Sequence, residues 1–131
     1  MDKTIIRPAI EALDHIAIEV TDLESALKFY VEIIGLKQIP APAVAVEKGI
    51  RWFQLPDSRM LHLVTNSEAK PFRIGHVAFR VKDVAAWKEY FVSVGVEEEP
   101  ATVKLYGEVE RIFVRDPSGN RLEFLKWATA Q

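Results

Sequence analysis

The chain holds three histidines, His15, His62 and His76, and each lies in a short apolar run: LDHIAIEV at 13–20, MLHLVT at 60–65 and IGHVAFRV at 74–81. His62 follows His15 by 47 residues, and 47 residues beyond His76 lies Glu123, in the run NRLEFLKW at 120–127. The two pairs are offset by 61 residues, so one repeat operation carries His15 onto His76 and His62 onto Glu123. Imidazole and carboxylate are good ligands for zinc, nickel, iron, manganese or cobalt. Four of them can hold one divalent ion and still leave positions for water or substrate. A lone histidine in a strand is usually a hydrogen-bonded structural residue, and a lone late glutamate is usually solvated. Four such residues obeying one repeat operation point instead to a single metal site.

The elements that must position these groups follow from the same repeat. Successive strand side chains alternate between faces. Ile16, Ile18 and Val20 therefore share one face of the first strand, and His15, Ala17 and Glu19 share the other. Val77, Phe79 and Val81 stand likewise against His76, Ala78 and Arg80. In the last strand of each half, Leu61 and Leu63 oppose His62, and Leu122 and Phe124 oppose Glu123. The four candidates thus face away from the apolar side.

After each first strand comes an aspartate, Asp22 or Asp83, placed to cap a helix. Leu23, Ala26, Leu27 and Tyr30, then Val84, Trp87 and Phe91, give each helix one apolar face. Gly35 and Gly95 stop the helices. Further strands are expected at 36–39, 50–55 and 60–65, and at 97–103, 108–115 and 120–127. Pro56-Asp57-Ser58 and Pro117-Ser118-Gly119 turn between the last two of each set. Residues 41–46, beside Pro40 and Pro42, read as a loop or a poorly paired edge. Each half reads β-α-β-β-β, with modules at 13–65 and 74–127. Neither could bury its sheet and helix well alone, so the expectation is one α+β domain over 1–131 made of two paired modules.

Composition narrows the class. The 131 residues are 49% hydrophobic and 27% charged, with net charge −2 and no basic block, which argues against nucleic acid. Cysteine is absent, which excludes thiolate chemistry and disulfides and fits a reducing cytoplasm. No apolar run approaches the roughly 18 residues of a membrane helix, and the N-terminus lacks a signal-peptide core. A cytoplasmic protein acting on a small molecule is expected.

The motifs LDHIAIEV, IGHVAFRV and DPSGNRLEF (116–124) resemble those of the vicinal oxygen chelate superfamily. That superfamily includes glyoxalase I, methylmalonyl-CoA epimerase, fosfomycin-resistance proteins, extradiol dioxygenases and bleomycin-resistance proteins. The likeness covers residues 13 to 127. It implies a curled mixed-sheet cleft with one divalent metal ion on its floor, held by His15, His62, His76 and Glu123. It also implies a small substrate whose vicinal oxygens chelate the metal, and proton transfer at the neighbouring carbon by way of a metal-stabilised enolate. A lyase or isomerase of the glyoxalase type is the leading expectation, with Glu123 as ligand and base.

Glu47-Lys48-Gly49-Ile50 is similar to the Glu-x-Gly-Val stretch that carries a catalytic glutamate in the epimerase, which makes Glu47 the second candidate base. His62 departs from the glutamate or glutamine usual at its position in glyoxalase I. In an extradiol-type dioxygenase, His15, His76 and Glu123 would form the iron triad, but the tyrosine those enzymes place ten residues before the glutamate is Phe113 here. A non-catalytic antibiotic-binding protein of the bleomycin-resistance type would lack the ligands. Small members of the superfamily often build the cleft as a homodimer. Glu19, Arg80 and Arg121 share the metal-facing parity, and Trp52, Phe53, Trp87 and Tyr106 are candidates for cleft lining or for core.

Overall fold

The computed structural model describes residues 5–100 and 109–128. Two sheets carry the two modules. The first has strand order β1-β4-β3-β2, with β1 His15–Val20, β2 Lys37–Ile39, β3 Ile50–Gln54 and β4 Met60–Thr65. The second has order β5-β7-β6, with β5 His76–Arg80, β6 Val109–Arg115 and β7 Arg121–Trp127. In each, the first strand of the module pairs in parallel with its last, β1 with β4 and β5 with β7, and the other pairings are antiparallel. The architecture is α+β with two mixed sheets, as the repeat implied.

Helix α1 (Leu23–Leu27) starts where the Asp22 carboxylate accepts from the Ser25 amide at 2.9 Å. Helix α3 (Val84–Ser93) starts the same way, Asp83 accepting from Ala86 at 3.0 Å. Both caps are those read from the sequence. Helix α1 does not stay an α-helix: Lys28–Ile33 winds as a π-helix that buries Phe29 and Tyr30. Gly35, at φ +82°, then turns the chain out, a conformation an L side chain resists.

Two expectations need correction. Residues 41–46 are not a loop or sheet edge, because Ala43–Glu47 forms a short helix, α2, behind Pro42. The Ala-Val-Ala-Val alternation mimics a strand, but proline at the helix start is well tolerated. The strand expected at 97–103 appears among the described residues only as a bridge between Glu99 and Phe113. Its remainder, from residue 101, lies outside the described residues, as does Tyr106.

One core joins the modules: Val20, Phe29, Tyr30, Phe53, Leu61 and Leu63 from the first, with Phe91, Val114, Leu122 and Phe124 from the second. The alternation in β1 and β5 is visible in burial, with His15, Ala17 and Glu19 exposed and Val20 buried. Polar bonds cross between modules as well. Tyr90 donates to the Ile33 carbonyl at 2.6 Å, and the buried Tyr30 hydroxyl donates to Asp116 at 2.7 Å. Asp116 also accepts from the Ser118 and Asn120 amides, Ser118 Oγ accepts from the Thr21 amide, and Asn120 Nδ2 donates to the Glu19 carbonyl. The DPSGN turn therefore clasps the end of β1. No helix among the described residues is long and apolar enough to cross a membrane.

Candidate metal centre

Register places the four candidates in two pairs. Ala17 lies beside His62 and His15 beside Met60 on the parallel β1–β4 pair, so His15 and His62 stand two positions apart on the same face. The β5–β7 pair repeats this, with Ala78 beside Glu123 and His76 beside Arg121. The structure brings together His15 with His62, and His76 with Glu123. It does not bring the pairs to one point, since no group of three or more His, Asp or Glu able to hold a metal ion occurs among the described residues. The four candidates therefore lie as two separate pairs, each a candidate half-site.

In the first half-site the His15 and His62 rings stack with centroids 4.1 Å apart, and the indole of Trp52 lies on the other face of His62 at 4.5 Å and 6°. Trp52 gets there because β3 pairs it directly with His62. His62 is 8% exposed, and its Nε2 is buried without a hydrogen-bond partner. Burial, with a smaller push from His15, holds the His62 imidazole below its ordinary pKa against an opposing pull from Asp14. A neutral ring with an unpartnered nitrogen is the form in which imidazole binds metals. The His15 Nδ1 donates to the Asp14 carboxylate at 2.8 Å, which leaves Nε2 as its lone-pair nitrogen.

The second half-site is built from charge. His76 donates from Nδ1 to the Ile74 carbonyl at 2.9 Å, which in the neutral ring leaves the lone pair on Nε2. That nitrogen faces Glu123 Oε1 at 2.9 Å, and Glu123 is 4% exposed. Two acceptors aimed at each other need a cation between them, a proton or a metal ion. Phe113, paired with Glu123 across β6–β7, meets His76 edge-on at 5.6 Å. Arg111 comes within 3.7 Å of Glu123 Oε2. The chemistry of the donor set thus fits a divalent ion: three imidazoles, one of them with an unpartnered Nε2, and one buried carboxylate.

Glu47 ends α2 and is exposed. Gly49 follows at φ +75°, and its carbonyl accepts from Thr65 Oγ1 at 2.6 Å. A Cβ at Gly49 would sit 2.9 Å from Thr65, so only glycine lets the loop after Glu47 lie this close to β4. The sequence signal missed Asp14 and Arg111, because neither recurs under the repeat operation, which pairs them with Gly75 and Ile50. It left Trp52 undecided because a β3–β4 register cannot be read from one strand.

The family model described as the Glyoxalase/Bleomycin resistance protein/Dioxygenase superfamily matches residues 12–124. The chain belongs to this superfamily. A solved glyoxalase family protein from Bacillus anthracis superposes with a TM-score of 0.82 at 29% identity, covering 93% of this chain and 99% of the other. A chloroplastic Arabidopsis thaliana protein named "Probable lactoylglutathione lyase" is 30% identical over 122 residues, which is 86% of this chain and 35% of the plant protein. The chain therefore spans about a third of that relative's length. A Bacillus subtilis protein named "Probable trivalent organoarsenical cleaving enzyme" is 28% identical over 117 residues, covering 84% of this chain and 76% of the relative. Superfamily relatives thus include proteins named as enzymes of different reactions.

Proposed function

We propose that the chain is a metal-dependent enzyme of the glyoxalase type, a lyase or isomerase that moves a proton beside the vicinal oxygens of a small substrate. The observation that carries this reading is the pair of matched half-sites: His76 Nε2 facing Glu123 Oε1 at 2.9 Å, and the buried, unpartnered Nε2 of His62 beside His15. His15, His62, His76 and Glu123 would hold the ion, which when bound supplies Lewis-acid polarisation of substrate oxygens. Trp52 holds the His62 ring plane, Asp14 and the Ile74 carbonyl fix the tautomers of His15 and His76, and buried Glu123 is ligand and base. Glu47, at the end of α2 and free of the core, is the second carboxylate able to take a proton from substrate.

The half-sites meet across two copies of the chain. Leu13 and Ile74, which precede the two histidine strands at equivalent repeat positions, are 62% and 66% exposed. Apolar surface at both, beside half-exposed His15, fits a face that a second copy covers. The name of the Arabidopsis relative agrees with a lyase. Arsenic(III) is a soft centre that favours thiolates, and a chain without cysteine has none to offer, which sets it apart from an organoarsenical-cleaving activity.

Mixing tests the arrangement. His15→Ala and His76→Ala chains each spoil every site in their own homodimers. After subunit exchange, mixed dimers regain one intact site of two, so about a quarter of wild-type metal binding should return on statistical mixing. Elemental analysis after dialysis reads this directly. No metal in the wild-type protein overturns the whole reading. Metal in wild type with no recovery on mixing overturns the two-chain site.

A further inference from the structure

The face of β7 that carries Glu123 also carries a largely buried arginine, Arg121. Arg121, two residues before Glu123 on the same face of β7, lays its guanidinium 3.7 Å from the centre of the Phe113 ring, and Arg111 approaches the same ring at 5.1 Å. Both side chains are largely buried, 12% and 14% exposed. Buried charges are normally paired, yet the nearest carboxylate to Arg121 Nε is Glu99 Oε1 at 3.8 Å. Glu99 is already engaged by Arg115 through two bonds of 2.6 and 3.0 Å. Arg121 Nε itself is buried with no hydrogen-bond partner.

Arg121 and His76 also line a cavity of about 460 Å³ between β1 and β5, together with Lys70, Phe72, Ala17 and Glu19. That volume suits a small molecule. Glu19 is the one carboxylate among these residues, and its Oε2 is held by Asn66 Nδ2 at 2.7 Å. The cavity thus offers two cations, an aromatic ring and a candidate metal ligand to whatever enters.

We propose that this cavity seats an oxyanion of the substrate, a carboxylate or phosphonate, on Arg121 and Lys70 beside His76. The inference deepens the proposed function and rests on it. The guanidinium fork matches a two-oxygen anion, and its stacking on Phe113 fixes its plane in advance. The substrate class is therefore a small anionic molecule whose charged group lies near its vicinal oxygens.

Binding can be read without turnover. Metal-stripped protein is titrated calorimetrically with methylphosphonate, with acetate, and with the neutral dimethyl ester of methylphosphonate. The two anions should bind and the neutral ester should not, the stronger of the two telling phosphonate from carboxylate. Arg121→Gln should weaken anion binding at least tenfold, about 1.4 kcal/mol. Arg121→Lys, which keeps charge without the fork, should fall between, and Lys70→Gln should weaken binding less. Circular dichroism and the melting temperature establish that each variant is folded. No anion binding by folded wild type, or equal binding by wild type and folded Arg121→Gln, overturns the proposal. Metal uptake by the same wild-type protein is measured separately. Anion binding through Arg121 in a chain that takes up no metal would sustain this site and sink the metal reading, and metal uptake with no response at Arg121 would do the reverse.

Discussion

The two half-sites use one backbone plan and opposite surroundings. In both, a first strand and a last strand run parallel and place their groups two positions apart on one face. Around His62 the first module sets rings, His15 on one side and Trp52 on the other, and burial keeps the imidazole neutral. Around Glu123 the second module sets charge, with Arg111 at 3.7 Å, His76 at 2.9 Å and Arg121 on the shared Phe113 ring. A duplicated scaffold can thus keep a pair of facing positions while changing the electrostatics about them. One half offers a neutral nitrogen held between rings and the other an anion in a cationic frame.

The sharpest way to break this comparison is to remove the charged ligand. Glu123→Ala should lower metal affinity by more than about 100-fold, beyond the range of roughly 10–100-fold seen when a supporting group is lost, whereas Trp52→Ala should cost about tenfold. Equilibrium dialysis with zinc or nickel compares the two. Equal losses would mean that the stacked ring matters as much as a ligand.

The modules also differ at the helix-to-turn contact. Tyr30 donates to Asp116, while the repeat-equivalent positions are Phe91 and Leu55, both apolar. Tyr30→Phe should destabilise by about 1–2 kcal/mol, because Asp116 keeps its amide partners but loses a buried donor. Phe91→Tyr buries a hydroxyl with no equivalent aspartate and should cost about 1–3 kcal/mol. Urea unfolding measures both. Burial of the phenol, with the charge of Asp116 and its hydrogen bond, also pushes the Tyr30 pKa far up, so this contact persists through mildly alkaline pH.

A smaller contrast lies in the hairpin turns. Ser58 holds φ +74° where its counterpart Gly119 holds φ +88°. Ser58→Gly should therefore stabilise by about 0.5–1 kcal/mol by relieving left-handed strain. Gly119→Ala should destabilise, since its Cβ would also meet Pro71 Cγ at 3.2 Å. The smallest effect is a pH dependence at the Glu99–Arg115 pair. Hydrogen bonds from Arg115 hold the Glu99 carboxyl below its usual pKa, so its contribution is complete at neutral pH and is lost as pH falls through the carboxylate range. Glu99→Gln should flatten the fall in melting temperature between about pH 5 and pH 3.

Much of this was legible beforehand because the relevant signals are local. Strand parity oriented His15, His62, His76 and Glu123, and the aspartate caps and Gly35 and Gly95 bounded the helices, as observed. The split into half-sites was not legible. A repeat operation relates His15 to His76 but says nothing of the distance between them. Ala43–Glu47 was misread because five residues are too few for a helical period to outvote an alternating pattern. The Trp52 stack depends on which residue β3 sets opposite His62, and the Arg121–Phe113 contact on the β6–β7 register. Both are set by pairing between strands, which no single stretch of sequence states.

The clasp between Tyr30 and Asp116 also orders events in time. The two residues are 86 positions apart, and the Thr21–Ser118 bond spans 97. During synthesis at about 5–20 residues per second, the first module waits roughly 4–17 s for the turn that completes it. Until then its π-helical stretch carries a tyrosine hydroxyl whose acceptor does not yet exist, and the end of β1 lacks its fastening. The first half made is therefore completed only by a turn of the second.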